Sequence, residues 1–407
     1  MIGVERIGVV GAGTMGAGIA QLACLGGYET VLQDPLPAAL EAGAARVVES
    51  LGKGVRREMW SGEEAEAAGG RLTAVEEPGG LAGCDLVIEA APEDLELKRR
   101  LFADLAATLD GPGAILATNT SSLQVTEIAR GIPGPERVVG MHFFNPPALM
   151  KLVEVVAAAD SSEQALEATA EVGRRMGRTP IRAKDSPGFI ANRLARPYSL
   201  ESLRMLADGV ADAATIDRAA RLGGGFRMGP FELIDLIGLD VNLSVARSFY
   251  AQGGEPERWR PSEIQERLVS EGRLGRKSGA GFYVYDDDQD PSAVSYGRYT
   301  DSINSGTVIG PTLEPAQLAA IDPAAPAIVP RLIAQIANEA AFALEERVGS
   351  PEDMNTAMRL GFNWPLGPIE FTELIGAARA VELLEELRAE HGEAYRTAPG
   401  LAVAAGR

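Results

Sequence analysis

The chain has 407 residues, 46% of them apolar and 23% charged, and a formal net charge of −19. Such a length predicts two or three domains with ordinary hydrophobic cores. The acidic balance argues against nucleic acid and anionic membrane as partners and leaves small molecules, whose phosphates a local basic patch can still hold.

The first predicted strand, Ile7-Gly8-Val9-Val10, belongs to the fold, so no secretory leader is expected ahead of it. No uninterrupted apolar run approaches the roughly 18 to 20 residues that cross a bilayer. Cys24 and Cys84 show no metal-ligand spacing and read as reduced core thiols; the expected location is the cytoplasm, and no metal is expected. The strand runs into Gly11-Ala12-Gly13-Thr14-Met15-Gly16 and then a helical Ala17–Ala23. This is GxGxxG between a strand and a helix, the fingerprint of a dinucleotide-binding, Rossmann-type α/β domain. Gly11 permits the tight turn, Gly13 lets a pyrophosphate approach the backbone, and Gly16 lets the helix pack close. Thr14 and Met15 open the helix whose N-terminal amides face that pyrophosphate. A second strand, Thr30–Gln33, ends at Asp34, about 20 residues on, where a carboxylate accepts from both hydroxyls of an adenosine ribose. It repels a 2′-phosphate and no arginine follows, so the cofactor expected is NAD rather than NADP.

Residues 41–72 read as an inserted pair of helices with charged faces. Lys53, Arg56 and Arg57 form a basic cluster there, either a solvated helix face or a clamp for a phosphate-bearing substrate. Further strands are predicted at Asp85–Ala90, Ala114–Thr118 and Arg137–His142, with a helix over Leu95–Leu109. Ligands of open α/β sheets bind beyond the carboxyl ends of the strands. Ala91-Pro92-Glu93, Asn119-Thr120-Ser121-Ser122 and His142-Phe143 fall at such ends. His142, one of two histidines, suits proton transfer, since an imidazole titrates near neutral pH. A buried, hydrogen-bonded structural histidine is the alternative. Glu154 follows after one short strand. Its apolar neighbours Leu152, Val153, Val155 and Val156 favour a buried partner of His142 over a strand-end carboxylate in solvent.

The chain resembles the 3-hydroxyacyl-CoA dehydrogenase family over nearly its whole length. The resemblance rests on GAGTMGAGIAQ (Gly11–Gln21), EAAPEDLELK (Glu89–Lys98), TNTSSL (Thr118–Leu123), GMHFFNP (Gly140–Pro146), KLVEVV (Lys151–Val156) and DSPGFIANRL (Asp185–Leu194), in that order. It implies NAD-dependent oxidation of an (S)-3-hydroxyacyl-CoA to the 3-oxoacyl-CoA. It implies His142 as general base, oriented by Glu154, with Ser121 and Asn192 binding the substrate oxygen. Glu93 and Lys98 would line the nicotinamide ribose, Asn119 would lie near the nicotinamide, and Lys53 would contact CoA.

The second half turns helical, with apolar periodicity over Phe189–Asp208, Asp212–Leu222 and Gly229–Tyr250. Arg276–Tyr283 resembles the close of the family's helical domain, and a polar, Gly- and Pro-bearing stretch from Asp286 reads as a linker. A repeat follows. Gly229-Pro230-Phe231-Glu232-Leu233-Ile234-Asp235-Leu236-Ile237-Gly238 matches Gly367-Pro368-Ile369-Glu370-Phe371-Thr372-Glu373-Leu374-Ile375-Gly376, 138 residues later. At the same offset Glu201 meets Glu339 and Asn192 meets Pro330. The fold class expected is an α/β Rossmann-type domain (1–185), a helical C-terminal domain (186–285), a linker (286–326) and a second helical copy (327–407). The resemblance implies dimerisation through the helical domain, giving a homodimer or, with two copies in one chain, a pseudo-dimeric monomer. Met358–Pro368 looks most like two-copy members of phenylacetate and related aromatic catabolism, which points to 3-hydroxyadipyl-CoA or a short 3-hydroxyacyl-CoA. Two other readings stand beside it: a related sugar-acid dehydrogenase acting on L-gulonate, and a non-catalytic NAD-binding structural or sensor protein.

Overall fold

The computed structural model describes residues 3–109, 113–285, 311 and 313–406. They fall into two units, Met1–Phe189 and Ile190–Arg407.

The first unit is built on an eight-stranded sheet: β1 (Arg6–Val10), β2 (Glu29–Gln33), β3 (Leu72–Val75), β4 (Leu86–Glu89), β5 (Ile115–Thr118), β6 (Val138–Phe143), β7 (Leu152–Ala157) and β8 (Thr179–Lys184). The spatial order is β3-β2-β1-β4-β5-β6-β7-β8. All neighbours run parallel except β6 and β7. The chain winds outward through β2 and β3, then returns to lay β4 on the other side of β1. The switch point is therefore between β1 and β4, where the crevice for a ligand opens. The central strands are near-continuous apolar runs, as strands covered on both faces must be. Ile7, Val9, Ile88, Ile115 and Leu116 have no exposed surface, and each contributes about 1.5–3 kcal/mol by leaving water.

Helix α1 (Thr14–Leu25) buries the face carrying Ile19, Leu22 and Ala23 on this sheet. The excursion between β2 and β3 is the expected helix pair, α2 (Pro37–Arg56) and α3 (Gly62–Gly70). Trp60 closes it, donating from its indole nitrogen to the Leu51 carbonyl at 2.9 Å. Helices α4 (Leu95–Thr108), α5 (Val125–Ala129) and α6 (Glu163–Arg175) complete the cover. Strands β3 and β8, and helix α6, were not distinguished in the sequence. β3 is short with every residue partly or fully exposed, and β8 carries Pro180 and buries only Ile181 and Ala183, so neither edge strand has a continuous apolar run.

The second unit is helical. It runs through α7 (Ala191–Ala207), α8 (Ala213–Leu222), α9 (Pro230–Ile237), α10 (Leu239–Gln252) and α11 (Glu263–Ser270). It continues with α12 (Pro315–Ile321), α13 (Ala325–Glu345), α14 (Pro351–Gly361), α15 (Pro368–Ile375), α16 (Ala377–His391) and α17 (Pro399–Ala404). Three sequence expectations change. Gly229–Tyr250 is two helices, broken at Gly238, whose φ of 102° only glycine adopts without strain. The linker stretch lies mostly outside the described residues, but α12 falls inside it and α13 begins before its end. One apolar helix does reach membrane-spanning length: α13, 78% buried within the unit over its most apolar window, is a core helix. Counting uninterrupted apolar runs missed it because Arg331 and Glu339 interrupt the run.

The 138-residue repeat holds in three dimensions. Helices α9 and α15 match end for end. The backbone N–H of Phe231 donates to Asp217, and that of Ile369 donates to Asn355, the counterpart of Asp217. Between copies the contacts are reciprocal. Arg193 of α7 binds Glu339 and Glu346; its counterpart Arg331 of α13 binds Glu201 and Asp208, the counterparts of those two acids. Residue i of one copy meets residue j of the other and vice versa, which is the pattern of a two-fold dimer interface formed within one chain.

Candidate active site

The glycine-rich turn follows β1. Gly11 has φ +97°, and a side chain there would meet the Ala90 carbonyl oxygen at 2.8 Å. A Cβ on Gly16 would lie 1.7 Å from the Gly11 carbonyl oxygen, so α1 approaches the turn as only glycine allows. Gly13, by contrast, faces open space with nothing within 4 Å, and as N-cap of α1 it supplies no side-chain acceptor to the first-turn N–H groups. Thr14 and Met15 begin that helix. The result is a set of backbone donors at a positive helix end beside an open cradle, which fits a dinucleotide's pyrophosphate. Asp34, just past β2, accepts from the Ala12 N–H (2.9 Å) and the Leu36 N–H (3.0 Å), fixing its carboxylate against the turn.

At the far ends of β4 and β5 a network stiffens the neighbouring loops. Glu89, fully buried, accepts from Lys98 Nζ (2.6 Å), Thr118 Oγ1 (2.7 Å) and the Ala91 N–H (2.6 Å). Lys98, also buried, gives its remaining protons toward the Ala91 carbonyl (3.2 Å) and Glu93 (3.4 Å). An ammonium has three donors, and here three acceptors surround it. The structure thus gives Lys98 an internal task beneath the loop, different from the ribose contact its motif implies. Glu93 accepts from Thr120 Oγ1 (2.6 Å), the Ser121 and Ser122 N–H groups (3.0 Å each) and Ser122 Oγ (2.9 Å). Withdrawal of its carboxylate from water pushes the pKa up. The Lys98 ammonium and these hydrogen bonds outweigh that and hold it below the ordinary value. Glu93 therefore shapes the loop that carries Ser121. Asn119, at the end of β5, uses its amide oxygen to accept the Phe143 N–H at 2.8 Å, tying that loop to β6 beside His142.

His142 and Glu154 face each other across the antiparallel β6–β7 pair, in direct register. His142 Nδ1 lies 2.7 Å from Glu154 Oε2, with 5% of His142 and none of Glu154 exposed. Phe144 and Phe189 flank the imidazole, with ring centroids at 4.5 and 5.8 Å. A carboxylate only accepts hydrogen bonds, so Glu154 sets the proton on Nδ1 and leaves the Nε2 lone pair for another partner. The sequence-predicted pair is thus brought together. Asn192 lies in the second unit, partly buried on the first turn of α7. Lys53 is exposed near the end of α2 and pairs with Glu49 at 2.8 Å, so the solvated-face reading describes its surroundings. Glu89 and the loop-shaping role of Glu93 were missed. The available signal was Lys98 itself, a charge on the otherwise apolar stripe with Phe102 and Leu105. Asp185, which accepts from the Val125 and Thr126 N–H groups at the start of α5, left no such signal.

The family model for the 3-hydroxyacyl-CoA dehydrogenase NAD binding domain matches residues 6–186, and that for the C-terminal domain matches residues 188–285 and 328–405. The chain belongs to the 3-hydroxyacyl-CoA dehydrogenase family. It is an oxidoreductase, and its cofactor is NAD. The 3-hydroxyadipyl-CoA dehydrogenase of Escherichia coli (strain K12) is 38% identical to it, over 97% of this chain and 95% of that one. A crystal structure of 3-hydroxybutyryl-CoA dehydrogenase from Escherichia coli K12 superposes with a TM-score of 0.88 at 35% identity, covering 99% and 98% of the two chains. The 3-hydroxybutyryl-CoA dehydrogenase of Bradyrhizobium diazoefficiens is 39% identical, but across 69% of this chain and 96% of its own. The C-terminal domain model matches two separate stretches, as the internal repeat requires.

Proposed function

We propose that this dehydrogenase oxidises 3-hydroxyadipyl-CoA or a short-chain (S)-3-hydroxyacyl-CoA to the 3-oxoacyl-CoA, with His142 as general base. The observation that carries the reading is the buried 2.7 Å pair of His142 and Glu154 in the sheet that also bears the glycine-rich turn. Two full-length relatives support the substrate class, one named for 3-hydroxyadipyl-CoA and one for 3-hydroxybutyryl-CoA.

NAD, when bound, accepts the hydride from C3 of the substrate. The chain's own residues handle the proton and the geometry. His142 Nε2 takes the proton of the 3-hydroxyl as the carbonyl forms. Glu154 holds the ring in the tautomer that makes this possible and stabilises the cation it becomes. Phe144 and Phe189 keep water from the imidazole. The Ser121 hydroxyl donates to the substrate oxygen from a loop that Glu93 fixes. Asn119, with its oxygen committed to the Phe143 N–H, would have its NH2 available to the nicotinamide of bound NAD, and Asp34 would hold the adenosine ribose. Lys53 at its exposed position makes at most an outer CoA contact.

The test is initial-rate NADH formation with (S)-3-hydroxybutyryl-CoA, (S)-3-hydroxyadipyl-CoA and L-gulonate. Turnover of an acyl-CoA and none of the free sugar acid is expected. NAD binding without turnover of any of them would return the chain to a binding role. The reciprocal Arg193 and Arg331 pairs support a second proposal, that the helical unit already satisfies its own two-fold face and the enzyme is a pseudo-dimeric monomer. Sedimentation at the mass of one chain is expected; a tight two-chain species would contradict it.

A further inference from the structure

Asp34 does not stand alone at the glycine-rich turn. Its Oδ2 accepts the Ala12 N–H at 2.9 Å, and the carbonyl of the same Ala12 accepts from Arg46 Nη1 at 3.0 Å. Arg46 comes from α2, twelve residues past Asp34 in the chain. Gly43, about one turn earlier on that helix, makes the approach possible. A Cβ there would stand 2.6 Å from the Ala12 carbonyl oxygen and 2.7 Å from the Ala12 side chain. One residue of the turn thus joins an acid and a base. No arginine follows Asp34 directly in the sequence, yet the fold brings one to the same turn from the side.

The guanidinium has capacity left for a ligand. Arg46 is exposed. An arginine has five N–H donors, and the Ala12 carbonyl takes one of them here. Among the described residues no carboxylate pairs with Arg46, whereas Lys53, two turns further along α2, is taken up by Glu49.

The distances suit a phosphate on the ribose. The N and O atoms of one residue lie at most about 3.5 Å apart, so the Arg46 nitrogen is within about 9.5 Å of the Asp34 oxygen through Ala12. A 2′-phosphate on a ribose that hydrogen-bonds Asp34 extends about 5 Å from that carboxylate. A charge-assisted hydrogen bond covers about 3 Å more, and a rotamer change of an exposed arginine supplies the rest. The charges oppose each other in the right way. A phosphomonoester carries about −1.5 to −2 at pH 7, which Asp34 repels and a nearby arginine accommodates. Exposed Glu76 and Glu77 follow β3, whose Val75 carbonyl receives the Asp34 N–H at 3.3 Å. They strengthen the acid side, so NAD stays ahead.

We propose that Arg46 and Asp34 form one selectivity pair at the adenosine end of the cofactor site. Asp34 favours the free ribose of NAD, and Arg46 binds the 2′-phosphate of NADP, so that the dehydrogenase accepts NADP as a secondary cofactor. The proposal rests on the placement of the adenosine ribose at Asp34 given above. It adds a phosphate-binding group that the sequence pattern around Asp34 does not contain.

The test needs no turnover. Calorimetry compares adenosine 5′-phosphate, adenosine 2′,5′-bisphosphate and adenosine 3′,5′-bisphosphate on wild type, Arg46→Gln, Arg46→Lys, Asp34→Ala and the Asp34→Ala/Arg46→Gln double variant. Fluorescence titrations of NADH and NADPH on the same proteins repeat the comparison with whole cofactors. Arg46→Gln should lower the affinity for the 2′,5′-bisphosphate relative to the monophosphate by about 10-fold, the scale of one hydrogen bond between charged partners, and Arg46→Lys should keep part of it. The 3′,5′-bisphosphate should not follow. Asp34→Ala should raise the NADPH-to-NADH affinity ratio at least 10-fold, and the double variant should lose most of that gain. Wild type should form NADPH from NADP with a lower kcat/KM than it forms NADH from NAD. A 2′,5′-bisphosphate-to-monophosphate ratio unmoved in Arg46→Gln would overturn the proposal, whether neither ligand weakens or both fall together, as they would if Arg46 only braced the turn. An equal loss for the 3′,5′-bisphosphate would also overturn it, because the contact would then belong to the 3′-phosphate of a CoA. If Asp34→Ala left every ligand unaffected, the ribose placement would fail and take the proposal with it; a failure of the Arg46 variants alone would leave that placement standing.

Discussion

Replacing Glu154 with Gln changes one atom pair at the heart of the site. Gln keeps the shape and can still accept from His142 Nδ1, whose present partner lies at 2.7 Å. What it loses is the negative charge facing an imidazole that becomes cationic as the substrate proton arrives. Opposite unit charges about 4 Å apart attract by about 4 kcal/mol at an effective dielectric near 20. Part of that is already present as the hydrogen bond to the neutral ring, and Gln retains about 0.5–1.5 kcal/mol of it. The transition state should therefore lose about 2–4 kcal/mol, or roughly 30- to 1,000-fold in kcat, at about 1.4 kcal/mol per tenfold. The ground state has no such charge, so KM for the acyl-CoA and the NAD affinity should stay within about twofold. Initial rates of NADH formation and a titration of NAD binding read both quantities. Deuterium at C3 adds a third: with chemistry slowed, the isotope effect on kcat should rise toward its intrinsic value. A kcat within threefold of wild type would refute the role assigned to the pair, and a loss confined to KM would move Glu154 from proton chemistry to substrate binding.

Other perturbations reach the rest of the account. Gly16→Ala places a methyl group 1.7 Å from the Gly11 carbonyl oxygen; the turn must open, so NAD affinity should fall by more than tenfold and the melting temperature should drop, as calorimetry and thermal melts would show. Asp34→Ala removes the carboxylate that holds the Ala12 N–H and that would repel a 2′-phosphate; the NAD over NADP preference should shrink, and a wild type faster with NADP would contradict the assignment. Glu93 has a depressed pKa in the folded chain, so its contribution to stability is present above the unfolded-state pKa, near 4.5, and is lost as the pH falls through the lower folded value. Glu93→Gln should flatten the acid limb of stability against pH below about 4.5 while lowering kcat through the Ser121 loop; an unchanged limb would mean that Lys98 and the serines do not hold that carboxylate.

Much of the first unit was legible because its signals are local. The strand, the glycines and Asp34 sit within one short stretch, and Gly11 and Gly16 each have a steric reason in the structure, while Gly13 borders open space. His142 and Glu154 were readable as a pair because one hairpin joins them: apolar residues on both sides of Glu154 predicted a buried strand, and its register delivers the carboxylate to the ring. The repeat was readable at an ungapped offset, and the offset locates the reciprocal Arg193 and Arg331 pairs.

What the sequence concealed depends on non-local closure. Glu89 meets Lys98 only because β4 ends where α4 turns back over it, and Glu93 holds Thr120, Ser121 and Ser122 from 27 to 29 residues away. Strands β3 and β8 are edge strands, where partial exposure erases the run of apolar residues that marks a central strand. The break at Gly238 sits inside an apolar helical pattern, and its positive φ is a backbone property that the pattern does not encode.

The central claim is that His142 is the base for a hydride-transfer reaction on a 3-hydroxyacyl-CoA. The most direct measurement is NADH formation by wild type and His142→Ala with (S)-3-hydroxybutyryl-CoA and (S)-3-hydroxyadipyl-CoA, on protein shown by titration to bind NAD equally well. The account predicts that wild type turns over at least one of the two and that the substitution removes at least 99% of that rate, consistent with the upper range of general acid–base contributions, about 10²–10⁴-fold. A His142→Ala protein that keeps its NAD affinity and more than a tenth of the wild-type rate would contradict it.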